Sequence, residues 1–354
     1  MHSDSKTQTL TYTANLPSKT VLAITTACIL ATLCTPKANA ALNLSDNTRW
    51  AIDASSRYTD TTKANDHHEV FAQHVVGFDF YSKIVSHGRD VATIVFQPYW
   101  IELNNRVSPP SFFSDGNDGA LNWRIANINY TGLSRGGFNI RAGHFEVPFG
   151  LEQNIDSNGT LRQFTASDRS IKADWGASIN GALPSIEYEI ALTRGTGNNI
   201  TNDSIDNTDP SIFSGRIGTL STLNTIWGFS FLDGDIVSGN NTVARRRIGI
   251  DWTHYYNHWE FISEISTGDN GDTDTNNAFF EIAWNNPSHN VKIYNQWQYR
   301  TRELNSTIDT RFFTLGSQWF ITNKIDVSAA WLKTLADQSA NNTSTVNIQF
   351  RIRL

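Results

Sequence analysis

Apart from His2, the histidines are His67, His68, His74, His87, His144, His254, His258 and His289. A hydrolase would need one of them beside a nucleophile or a pair of carboxylates. None stands in a recognisable Ser or Asp motif, and the chain has no HExxH and no Gly-rich nucleotide loop. His144 shares a period-two face with Phe138, Ile140 and Ala142, which marks it as an interface residue rather than a base. Asp269, Asp272 and Asp274 would give a cation close-set oxygen ligands, but the Glu that closes an EF-hand-type loop is missing, so the segment reads as a solvated tip. No cofactor and no metal site is expected.

The other chemistry on offer is that of a charged wall. Basic residues on polar faces are Arg124, Arg141, Arg216, Arg245, Arg247, Lys292, Arg300, Arg351 and Arg353; acids on comparable faces are Glu187, Glu189, Asp251, Glu260, Glu264 and Glu281. Rings of Arg or Lys around water favour anions, and rings of carboxylate favour cations. The bases gather in the later strands and the acids in strands seven and ten to twelve. Two readings stay open: a transverse field across an aqueous lumen, or pairs that cancel. In Arg245-Arg246-Arg247 the middle member points the other way, toward a lipid head group.

The elements that would hold these residues are extended. Val346-Asn347-Ile348-Gln349-Phe350-Arg351-Ile352-Arg353-Leu354 alternates apolar and polar to its last residue. A strand puts these two sets on opposite faces. Such a strand suits a membrane barrel, apolar toward lipid and polar toward a wet lumen. The same pattern recurs at 49–58, 74–85, 91–103, 121–130, 138–147, 174–182, 185–194, 212–220, 223–232, 245–254, 259–267, 277–284, 291–302, 311–320, 324–332 and 345–354. This predicts an all-β fold, a transmembrane antiparallel β-barrel of about 16 strands, even in number as single-chain bacterial barrels are. Short turns (86–90, 221–222, 286–289, 321–323) alternate with polar loops (104–119, 195–210, 233–243, 268–276, 303–309). Pro98 predicts a bulge or an exposed end.

The N-terminus suggests export. Val21 to Leu33 is an apolar run the length of a signal-peptide core, and Ala38-Asn39-Ala40 has small residues where a signal peptidase reads. Residues 1–40 are thus expected to be cleaved before Ala41, leaving 41–354 as one barrel domain. Cys28 and Cys34 both lie in the removed segment, so no disulfide is expected. That segment also carries Lys6, Lys19, Lys37 and Asp4, which changes the net charge from −6 to −8. An acidic chain argues against a nucleic-acid partner. Aromatic residues make up 12 % of the chain, many near strand ends, where barrels keep their aromatic girdles.

Gly143-His144-Phe145-Glu146-Val147-Pro148-Phe149-Gly150-Leu151-Glu152, with Arg169 and the strand Asp174 to Gly181 downstream, resembles the segment around the constriction loop of the phosphate-selective porin O/P family. The similarity covers residues 138–182; elsewhere only the barrel pattern agrees. It implies a 16-stranded homotrimer in the bacterial outer membrane whose third long loop folds inward. Phe149, Leu151, Ile155, Leu161 and Phe164 would anchor that loop on the wall, and the alternative is a loop that decorates the rim. The expected pore-lining and constriction residues are Arg141, Glu152, Asp156, Arg162, Asp168, Arg169, Lys172, Arg245, Arg247, Lys292 and Arg300. The expected function is passive diffusion of small hydrophilic solutes or inorganic ions through a water-filled channel, with outer-membrane lipid around it and no catalysis. The alternatives are an anion- or phosphate-selective porin, a lipase- or protease-type barrel enzyme, and a non-conducting binding or adhesive barrel.

Overall fold

The computed structural model describes residues 47–64, 67–104, 119–134, 136–151, 159–163, 171–197, 210–238, 241–303, 307–336 and 342–354. The expected signal peptide, most of loops 104–119 and 195–210, and Glu152, Ile155, Asp156, Phe164, Asp168 and Arg169 lie outside them. The described residues form sixteen strands: β1 (Thr48–Lys63), β2 (His68–Ser86), β3 (Arg89–Asn104), β4 (Gly119–Tyr130), β5 (Asn139–Glu146), β6 (Ala173–Ala182), β7 (Ile186–Thr193), β8 (Ile212–Thr219), β9 (Thr225–Ser238), β10 (Asn241–Tyr256), β11 (Trp259–Asn270), β12 (Thr273–Asn285), β13 (Val291–Glu303), β14 (Thr307–Phe320), β15 (Ile325–Ala336) and β16 (Thr343–Arg353).

Each strand pairs antiparallel with its sequence neighbours, and β1 pairs with β16, so the sheet closes on itself. Closure leaves no strand edge with unpaired amides, the condition for a sheet to cross a bilayer. The seam is well tied. Arg57 donates to Gln349, Thr59 to Asn347, and Arg351 through Nε to Asp53 at 2.8 Å. Beyond the last ladder pair, Ile52 and Leu354 exchange backbone hydrogen bonds at 2.9 and 2.8 Å.

Burial follows the alternation. Ile348 is 50 % exposed on the outer face, while Gln349 beside it is 1 % exposed inside. The outer face is a band of Ile, Leu, Val, Phe and Trp, with ring pairs such as Phe280–Trp297 at 5.7 Å and Phe313–Trp331 at 5.9 Å. The protein is thus inside-out relative to a water-soluble fold, which is what a lipid solvent demands.

Two local features follow directly from residue type. His87 (φ 51°) and Gly88 (φ 72°) make a two-residue turn between paired Ser86 and Arg89, the positive-φ geometry that matches strand twist. Pro98 cannot donate to the ladder, and the β3–β4 register shifts at Gln97/Pro98. The polar segments 233–243, 268–276 and 303–309 differ from expectation. Much of each is strand: β9 runs to Ser238, β11 to Asn270 and β13 to Glu303. Beyond the lipid band both faces of a hairpin are wet, so alternation stops while the backbone ladder continues.

Candidate functional site: the inward loop and the lumen wall

The segment after β5 enters the barrel. Its neck is closed by Val147, whose N–H donates to the Lys172 carbonyl at 2.9 Å. Gly150 then turns the chain with φ 63°, and its N–H donates to Ser230 Oγ at 3.0 Å. A Cβ here would overlap the Glu264 carboxylate, which instead accepts from the Leu151 N–H at 2.8 Å.

Apolar anchors hold the loop on the wall. Val147, Phe149 and Ile171 pack with Ile212, Leu232 and Ile236, and Leu151 packs with Ile262 and Phe279. These wall residues lie on strand faces that are otherwise polar, and the loop is what covers them. Gly249 leaves room for the Phe149 ring, whose Cζ would sit 2.9 Å from any Cβ there. Leu161 is buried as well. The described residues of the loop therefore lie inside the barrel and do not decorate the rim.

Further along, polar contacts take over. Arg162 donates through Nε to Glu281 at 3.1 Å and through Nη2 to Glu260 at 2.9 Å, with a second bond to Glu281. Lys292 reaches Glu260 at 2.7 Å and Gln296 reaches Glu281 at 2.6 Å. Gln296 also donates to the Gln163 carbonyl at 2.9 Å, and Gln349 to the Gly159 carbonyl at 2.5 Å. Burial alone would lower the Arg162 guanidinium, but the Glu281 and Glu260 carboxylates outweigh it and hold it above its ordinary value. Arg162 also lies over the Tyr294 ring at 5.9 Å. The loop's contacts thus reach β8 to β13 and β16.

The expected lining residues fall into separate groups. Arg162 and Lys292 meet at Glu260, where Arg162 is a tie rather than an open charge, its side chain 8 % exposed. Arg141 sits apart, ion-paired with Glu189 at 3.0 Å and lying over Phe145. Arg245 and Arg247 are inside and buried near the β9–β10 hairpin; Arg247 donates to the Arg246 and Asp269 carbonyls at 2.6 Å each. Arg246 points outward, 71 % exposed, toward Asp233. Arg300 lies over Phe312 at 5.5 Å, and Lys172 is exposed at the loop's exit. His144 stays on the outer face beneath Trp175, ring centroids 5.1 Å apart.

Other wall charges pair across strands. Arg216 binds Asp251 at 2.6 and 2.9 Å, passing over Gly228 of the strand between them. Arg353 binds Asp79 at 2.7 Å, and Tyr99 donates to the same carboxylate at 2.9 Å. Among the described residues, no group of three His, Cys, Asp or Glu is placed to hold a metal ion. The sequence reading missed the wall partners Ser230, Gln296, Tyr294 and Gln349. Strand parity identifies them as inward residues but not as the ones a loop reaches.

No protein-family model matches the chain, and no curated protein matches it. The resemblance to the O/P porins therefore rests on residues 138–182 alone. Solved structures do match. Salmonella typhi OmpF, in complex with daunomycin, is 11 % identical with TM-score 0.65, covering 87 % of this chain and 98 % of its own. The anion-selective porin from Comamonas acidovorans is 11 % identical with TM-score 0.65, covering 87 % and 99 %. A trimer form of OmpT, an outer membrane protein of Vibrio cholerae, is 9 % identical with TM-score 0.60, covering 87 % and 100 %. The chain has the sixteen-stranded fold of the outer-membrane porins.

Proposed function

We propose that this protein is an outer-membrane porin that lets small hydrophilic solutes or ions diffuse passively through its lumen. The observation that carries this reading is the loop: residues 147–151 and 159–163 lie in a polar lumen and fasten to its wall from β8 to β13 and at β16. A barrel built only for adhesion or binding has no need of a strap across its interior. In this reading the passage runs alongside this strap. Its width is set by the loop, and its charge preference by the groups around it. In this reading the short turns face the periplasm, the chain is exported by a cleaved signal peptide ending at Ala40, and three copies assemble as in the trimer form of Vibrio cholerae OmpT. No cofactor or energy source takes part.

The pairing of Arg141, Arg216, Arg351 and Arg353 with carboxylates supports cancelling charges over a continuous anion ladder, so the proposal is a general pore rather than a phosphate-selective one. Purified protein in a planar bilayer tests it. Stable conductance steps proportional to salt are expected; insertion without current would favour an adhesive or enzymatic barrel. A reversal potential in a KCl gradient reads the ion preference.

A further inference from the structure

Among the described residues, the lumen wall carries a recess at its short-turn end, lined by β5 to β8 and their turns. It has a volume of about 420 Å³, within the usual range for small-molecule sites. Its core is one cross-strand row, Asn139, Asn180, Glu189 and Arg216, set side by side by the ladders of β5 to β8. Arg141, Glu187 and Ser221 complete the rim.

Three observations say what would fit. First, the charges cancel locally: Arg141 faces Glu189 at 3.0 Å and Arg216 faces Asp251 at 2.6 Å, so the recess has no unopposed guanidinium to offer an anion. Second, donors and acceptors are intermixed. Asn139 donates to Asn180 at 3.1 Å, Asn129 and Asn180 bond each other, and Ser221 donates to Glu187 at 2.9 Å. Third, Asn139 is 7 % exposed and lines the recess, yet its Oδ1 has no hydrogen-bond partner among the described residues. A buried acceptor without a donor carries a desolvation cost, which a ligand O–H meeting Oδ1 after a small turn of the amide would remove.

We propose that this recess is a subsite for a neutral polyhydroxylated solute, a mono- or disaccharide, whose hydroxyls bond the Asn139–Asn180 amides, the Arg141–Glu189 pair and, at the rim, the Ser221 hydroxyl. A hydroxyl both donates and accepts, which matches the intermixed lining; a phosphate anion carries few O–H donors for its many acceptor oxygens and would be repelled by Glu187 and Glu189. The subsite deepens the pore reading by giving its short-turn mouth a station for one class of permeant.

The test uses the full-length protein in an amine-oxide detergent, which has no sugar headgroup. Maltose is titrated by calorimetry, and inorganic phosphate serves as the comparison. The same protein in planar bilayers is then exposed to maltose. Saturable heat with maltose and none with phosphate is expected. Asn139→Leu and Ser221→Leu should each weaken binding by about fivefold or more, the effect of one lost hydrogen bond. Ser221 lies in an exposed turn, so its variant decides the matter if Asn139→Leu does not fold. Absent saturation, saturation by phosphate instead, or maltose binding untouched by the substitution would each overturn the proposal. Heat without current would sink the pore reading and leave the subsite standing.

Discussion

Replacing Arg162 by Ala removes the central tie between the inward loop and the wall. In the folded protein Arg162 bridges Glu260 and Glu281, whose side chains are 14 % and 0 % exposed. Truncating one partner of a buried ion pair costs roughly 3–5 kcal/mol, because the other charge is left uncompensated. Here each carboxylate keeps a second donor: Glu260 retains Lys292 and Asn285, and Glu281 retains Gln296. That places the loss at the low end, about 3 kcal/mol, or about two orders of magnitude in the ratio of fastened to unfastened loop. The loop's first turn should stay in place, since Phe149 and Leu151 are buried independently of Arg162. The variant should therefore keep a folded barrel by circular dichroism but show much larger current noise in single-channel recordings. Arg162→Ala combined with Glu281→Gln should cost far less than the two changes summed, because both remove the same bond. Unaltered noise together with additive thermal destabilisation would refute the assignment of Arg162 as the tie.

Other expectations follow from the wall and the outer face. Gly228→Ala puts a methyl group against the Arg216–Asp251 bridge and should destabilise by about 1–3 kcal/mol, seen as earlier loss of the compact band in heat-modified electrophoresis. Ile348→Arg places a charge on the lipid face and should cost about 2–4 kcal/mol if that position is near midplane, whereas Gln349→Glu, one residue on, keeps an acceptor for Arg57 and should fold and alter conductance; refolding yields in lipid vesicles compare the two. Arg247→Glu should loosen the β10–β11 hairpin, since Arg247 is 0 % exposed and bonded to backbone carbonyls, and should shift reversal potential less than it lowers the unfolding temperature.

The fold was legible where the membrane imposes its solvent on one face only. Val291, Ile293, Trp297 and Tyr299 against Lys292, Gln296, Gln298 and Arg300 can satisfy lipid and water in just one orientation, and β13 adopts it. Above the lipid band that constraint ends, and Asp233, Asp235, Asp269 and Asp274 read as loop although their backbones are laddered. The inward loop was legible through its anchors Phe149, Leu151 and Leu161. A further signal was available: Ile212, Leu232, Ile262 and Phe279 are apolar residues at inward positions, which only a covering segment can explain. Pairing was not legible, because Arg216 and Asp251 meet over an intervening strand and Arg162 meets Glu281 across 119 residues of sequence. Such contacts depend on three-dimensional register and loop path, which strand parity does not contain.

The central claim is that one face of each strand meets acyl chains and the other meets water. Single cysteines along β16 test it most directly, because the only native cysteines are Cys28 and Cys34, outside the described barrel. In lipid vesicles, cysteines at Thr345, Asn347 and Arg353 should react with a charged, membrane-impermeant thiol reagent, while those at Val346, Ile348 and Phe350 should resist it and, once carrying a fluorophore attached in detergent, be quenched by probes in the acyl phase. Equal reactivity with the aqueous reagent along the whole strand would contradict the account.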